Sequence, residues 1–180
     1  VIKDITPLTI EPVRLQSAKA FLRVDHDDED ELIASFIQTA RERIEAHLSI
    51  SLITRRRLYT KANPKNAVLY INHHPIKRVI AVDCIFGDDS SQRLDPSDYL
   101  INLHARPASV RLLTSRSLSA QAIQIEIEAG FGQSASDVPM PIRQAIMLLI
   151  AHSYEHRGDT DAAMPMMVDA LLMPYRGLRL

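Results

Sequence analysis

The chain has 180 residues, 46% of them hydrophobic and 24% charged, which is enough to bury a core and close to the average for soluble globular proteins. A formal net charge of −1 argues against a protein whose main task is to grip nucleic acid electrostatically. No apolar run approaches the ~20 residues that span a bilayer, and no basic-then-apolar signal segment opens the chain, so the expectation is a soluble protein with no membrane partner.

Val1 to Val13 carries Pro7 and Pro12 and reads as an extended arm, residues 1–14. A short helix is predicted from Leu15 to Arg23, with Ala18, Phe21 and Leu22 on its apolar side. The clearest helix covers residues 28–48, where Leu32, Ile33, Phe36, Ile37, Ala40, Ile44 and Leu48 share one face. The run Asp25-His26-Asp27-Asp28-Glu29-Asp30-Glu31 precedes it. Asp27 or Asp28 is expected to cap its free amides, and the acids oppose the positive end of its dipole.

The middle third changes period. Ile123, Ile125 and Ile127 alternate with Gln124, Glu126 and Glu128, the pattern of a strand wet on one side. Leu52–Tyr59, Val68–Ile71, Val79–Phe86, Tyr99–Leu103 and Val110–Leu113 are read as further short strands within residues 52–129. Turn-forming clusters separate them: Asn63-Pro64-Lys65-Asn66, Gly87-Asp88-Asp89-Ser90-Ser91 and Asp95-Pro96-Ser97-Asp98. Cys84 lies in an apolar run with no basic neighbour, so it reads as a small buried hydrophobe and not as a reactive thiol.

Pro139-Met140-Pro141 suits the entry of a helix over residues 141–156. Its stretch Ile146-Met147-Leu148-Leu149-Ile150-Ala151 is apolar nearly all round, which points to packing by a neighbouring subunit through Met147, Leu148 and Ile150. A last helix, residues 166–173, ends at Pro174 and releases the tail 174–180. The fold class expected is α+β, mainly α with a small antiparallel β portion, with a helical-bundle core in a single domain over 15–173.

The motifs that could carry chemistry are weak. His152-Ser153-Tyr154-Glu155-His156 fits H-x-x-E-H, in which two His bind zinc and the Glu activates water. That zinc-dependent hydrolase reading needs a third ligand, and only Asp159, Asp161 and Asp169 remain beyond His156 as acids. A calcium loop from Asp25 fails, because its sixth and twelfth positions hold Asp30 and Phe36. Arg55-Arg56-Arg57 is the only dense basic run, and on a strand its members alternate between faces. In an oligomeric ring one of those faces could meet DNA or an acidic partner. Arg157-Gly158-Asp159 is read as a chance tripeptide. No catalytic residue, metal or cofactor site is assigned.

The order of these pieces resembles one family. Leu15-Gln16-Ser17-Ala18-Lys19-Ala20-Phe21-Leu22-Arg23-Val24-Asp25, followed by acids and then by Leu32-Ile33 and Ala40-Arg41, resembles the opening of the head–tail connector (adaptor) proteins of long-tailed phages and gene transfer agents. Ala129-Gly130-Phe131-Gly132, Val138-Pro139, Ile142-Arg143-Gln144-Ala145-Ile146 and Tyr154-Glu155-His156-Arg157 resemble its second half. Leu171-Leu172-Met173-Pro174-Tyr175-Arg176 resembles its closing motif. The resemblance covers about Leu15 to Arg176.

It implies a structural virion protein and no enzyme. Such a protein is made in the host cytoplasm and placed at the head–tail junction. There it forms a closed ring of about twelve copies with a heterologous interface. The ring lies between the portal and a stopper or tail completion protein, and DNA passes through it without sequence specificity. Tyr175, Arg176, Leu178, Arg179 and Leu180 are then expected to bind the portal, as a short segment that orders on its partner.

Overall fold

The computed structural model describes residues 1–62, 64, 67–88, 90–113, 119–157 and 163–177. The turn cluster at 63–66 lies mostly outside these residues. So do Asp89, Gly158, Asp159, Asp161 and the tail residues Leu178, Arg179 and Leu180.

The chain divides into two compact units, so the stretch read as one domain is shared between them. One unit comprises Val1–Pro7, Thr54–Gly130 and Gly177–Leu180; the other comprises Leu8–Ile53 and Phe131–Arg176.

The first unit is built of strands. They are β1 (Ile2–Asp4), β2 (Arg55–Ala62), β3 (Val68–Ile71), β4 (Ile76–Ile85), β5 (Ser91–Arg93), β6 (Tyr99–Asn102), β7 (Ala108–Leu112) and β8 (Ala122–Ala129). They form two antiparallel sheets, ordered β1-β2-β8-β4-β5 and β3-β7-β6. β8 is central because its alternation lets it pair on both edges while burying one face. Ile125 lies opposite Tyr59 on one side and Val82 on the other. Ile123, Ile125 and Ile127 are fully buried, whereas Gln124, Glu126 and Glu128 are half-buried. Leu69, Ile71, Val82, Val110 and Leu112 complete this core, together with Cys84, whose thiol burial pushes up in pKa.

The second unit is helical: α1 (Leu15–Leu22), α2 (Asp30–Leu48), α3 (Met140–Glu155) and α4 (Met166–Leu172). α2 buries Ile33, Ile37, Ala40, Ile44 and Leu48 and stops at Ser49, whose φ of 55° is left-handed. Its acids do not cap it in the expected way. Lys19, buried on α1, binds Asp27 at 2.5 Å and Asp30 at 2.6 Å, and so ties α1 to the start of α2. The apolar girth of α3 has its explanation within the unit, since α1, α2 and α4 all pack against it.

The expectation of a mainly α fold is corrected. Helix accounts for 37% and strand for 30%, with two antiparallel sheets among the described residues. Strands that looked short and separate in sequence pair along their lengths. They close a second apolar core of their own, so the β part is not a small addition to a helical bundle.

Candidate functional site

In the helical unit, the segment from Ile10 to Ser17 crosses the starts of α1 and α3 and leaves an open groove. Its two adjoining hollows have volumes of about 370 Å³ and 410 Å³. Val13, Ile37 and Met147 supply its apolar floor, and Ser134 and Ala135 line one side. Two cations stand over it, Arg14 and Arg143. Arg143 is half-buried, and its Nε is shut off from water without an acceptor among the described residues. The segment is held down by Glu11, whose carboxylate takes the Arg41 Nε at 2.8 Å.

Among the three residues expected to pack against a neighbour, Met147 lines this groove and Leu148 is half-buried. Ile150 is fully buried in its own unit's core, so it has no surface to offer. Met140, at the first position of α3, is 65% exposed and also faces the groove.

The opposite end of α3 is bound differently. The Tyr154 hydroxyl donates to Glu29, and Arg157 donates to the same carboxylate at 2.7 Å while stacking over the Tyr154 ring. These donors hold the Glu29 carboxyl below its ordinary pKa, the Tyr154 hydrogen bond first. Asp27 is likewise lowered, by its hydrogen bond from Lys19. Asp25 and Asp28 are left over: Asp28 has only the His26 ring, at 3.8 Å, and Asp25 has no polar partner among the described residues.

The basic run lies on β2 and is extensively paired. Arg55 and Arg57 both bind Asp4 of β1, at 2.8 Å and 2.7 Å, and Arg56 pairs with Glu126. Arg57 also donates to His73 Nε2 at 3.2 Å. His73 is buried, and burial, followed by the Arg57 charge, pushes its pKa down to about 3. Of the three side chains only that of Arg56 is substantially exposed, at 48%.

At the C-terminus, Tyr175 packs partly buried against the helical core, and Arg176 binds Asp169 of α4 and His47 Nε2, the latter at 2.8 Å. These two residues are therefore engaged with their own unit. Leu178, Arg179 and Leu180 lie outside the described residues.

The H-x-x-E-H stretch ends α3. The His152 and His156 rings stack with centroids 4.6 Å apart, and His156 Nδ1 lies 3.0 Å from the His152 carbonyl. No group of three or more candidate ligands assembles among the described residues, and Asp169 is engaged by His47 and Arg176.

The groove and the Asp4–His73 cluster were not picked out from sequence. Arg143, with Gln144 beside it, does interrupt a largely apolar stretch, and that was the available signal.

Residues 12–78 match the family model of phage gp6-like head-tail connector proteins. The matched span holds α1, the acidic link and α2, the segment on which the first half of the sequence resemblance rests, and the resemblance is borne out there. Three solved structures share the fold from end to end, each covering 100% of this chain and 97% of the other. One is from the virion of a native gene transfer agent particle, with a TM-score of 0.83 and 22% identity. Another is from the neck of an empty gene transfer agent particle with C6 symmetry, at 0.81 and 22%. The third is from the neck of a native particle with C12 symmetry, at 0.74 and 23%. No curated protein matches the sequence.

Proposed function

We propose that this chain is a structural head–tail connector, a non-enzymatic component of the neck of a phage or gene transfer agent particle. The observation that carries the reading is the connector-family match over residues 12–78, within a chain whose whole length overlays chains from two necks and one virion of gene transfer agent particles. A ring of about twelve copies under the portal follows from the same reading. It joins a DNA-filled head to the stopper or tail completion protein and forms part of the DNA channel.

The chemistry of the chain suits this work. A formal net charge of −1 leaves the ring without a strong counterion-release grip on passing DNA. The internal pairing of Arg55 and Arg57 with Asp4, and of Arg56 with Glu126, lowers the free positive charge further, and of the three expected to face DNA or a partner Arg56 is the most exposed. Contacts from each C-terminal tail to the portal, weak singly, add up across the ring through effective concentration.

Deletion of the gene tests the proposal. DNA-filled heads and complete tails that fail to join are the expected products. Normally joined particles from the deletion strain would overturn it.

A further inference from the structure

We propose that in the assembled ring the acidic link between α1 and α2 of one copy docks into the Arg14–Arg143 groove of the next copy. This rests on the connector reading above and names the contact that closes the ring.

A cyclic assembly joins two different patches of the same chain, and they must be complementary. The helical unit carries such a pair at opposite ends of α3. Arg143 stands in the first turns of α3 over the groove. Tyr154, at the other end, binds Glu29 and thereby fixes the acidic link there. Eleven residues of helix at ~1.5 Å each separate Arg143 from Tyr154 by about 16 Å along the axis. One end therefore carries two cations with no partner among the described residues, and the other carries Asp25 and Asp28, acids left without strong pairing.

The groove asks for a carboxylate in particular. Arg14 is exposed and Arg143 half-buried, and neither guanidinium has an anionic partner among the described residues, so a carboxylate reaching the groove meets two cations free to hold it. The link offers apolar matter as well: Phe21 is 41% exposed just before it, and Val24 within it is half-buried. Those side chains suit a floor made by Val13, Ile37 and Met147. Asp27 and Glu29 are held by Lys19, Tyr154 and Arg157, so the link presents its two remaining acids from a fixed scaffold. Preorganised opposite charges of this kind set register and suppress wrong partners.

The test uses particles assembled with the full chain carrying Arg14→Cys and Asp28→Cys, treated with a short bismaleimide. Cys84 is buried and contributes no reactive thiol. A ladder of linked multimers from the double variant, with each single variant giving monomer, is the expected result. In parallel, Arg143→Glu should eliminate the chain from the neck, and adding Asp25→Lys and Asp28→Lys to that same chain should restore it. Chain present in the particles but never linked, with Arg143→Glu incorporated at the normal level, would overturn this contact and leave the connector reading standing. Wild-type chain missing from purified particles would overturn both.

Discussion

The Glu45 carboxylate accepts the Leu52 backbone amide at 2.8 Å with one oxygen and the Arg41 guanidinium at 3.2 Å with the other. Arg41 in turn holds Glu11, so one buried network fixes the exit of α2 and the segment that walls the groove. Removing one partner strands the others away from water. Glu45→Ala should lower unfolding free energy by about 3–5 kcal/mol, and Glu45→Gln, which keeps an acceptor for Leu52, by about 1–3 kcal/mol. Urea unfolding at neutral pH measures both. An Ala variant as stable as wild type would mean that the carboxylate does not hold this turn.

His73 makes a pH prediction. Its folded pKa is pushed down to about 3 from an ordinary 6.5, burial being the leading cause. Between those values the unfolded chain binds a proton that the folded chain refuses, so stability is lost as pH falls from about 6.5 toward 3. Glu11, raised by burial, acts with the opposite sign above its ordinary value. The urea midpoint should therefore drop from pH 7 to pH 5.5, and His73→Gln, which still offers Arg57 an acceptor, should flatten that drop. Equal slopes for the two proteins would assign the effect to other groups.

The periodic elements were legible because periodicity is local: α2 and β8 declare their buried faces within their own residues. The pairing was not, because β8 meets β2 across about 67 residues and nothing in either strand names its partner. β1 and β5, at three residues each, are too short to show alternation, and β1 lies in the stretch read as an arm. Underestimating the strands made the chain look mainly helical. The groove was invisible for a related reason: Arg14, Ser134 and Arg143 converge only after folding, whereas the acids of the link were plain but their engagement with Lys19 was not.

Stability and assembly should separate by position. Ile125 is fully buried at the centre of the five-stranded sheet, and Ile125→Ala should cost about 2–5 kcal/mol, cavity included. Met147 is half-buried on the groove, and Met147→Ala should cost less than about 1.5 kcal/mol while reducing incorporation into the neck. Thermal melting and immunoblots of purified particles compare the two. Normal incorporation of Met147→Ala would detach the groove from assembly.

The tail prediction depends on where the chain is cut. Tyr175 and Arg176 are tied to the helical unit, through core packing and through Asp169 and His47, so a cut before Tyr175 confounds binding with folding. Removal of Tyr175 to Leu180 should lower stability by about 1–2 kcal/mol, from a lost ion pair and a lost apolar contact. Removal of Gly177 to Leu180 leaves both contacts in place and should change stability by no more than about 0.5 kcal/mol. If Leu178, Arg179 and Leu180 carry the portal contact, the shorter truncation alone should abolish capture of the chain by immobilised portal rings. Capture at wild-type level by that truncated but stable chain would remove those three residues from the interface. A loss appearing only with the longer cut would move the contact to Tyr175 and Arg176, whose engagement with α4 and His47 would then have to open before the portal could bind them.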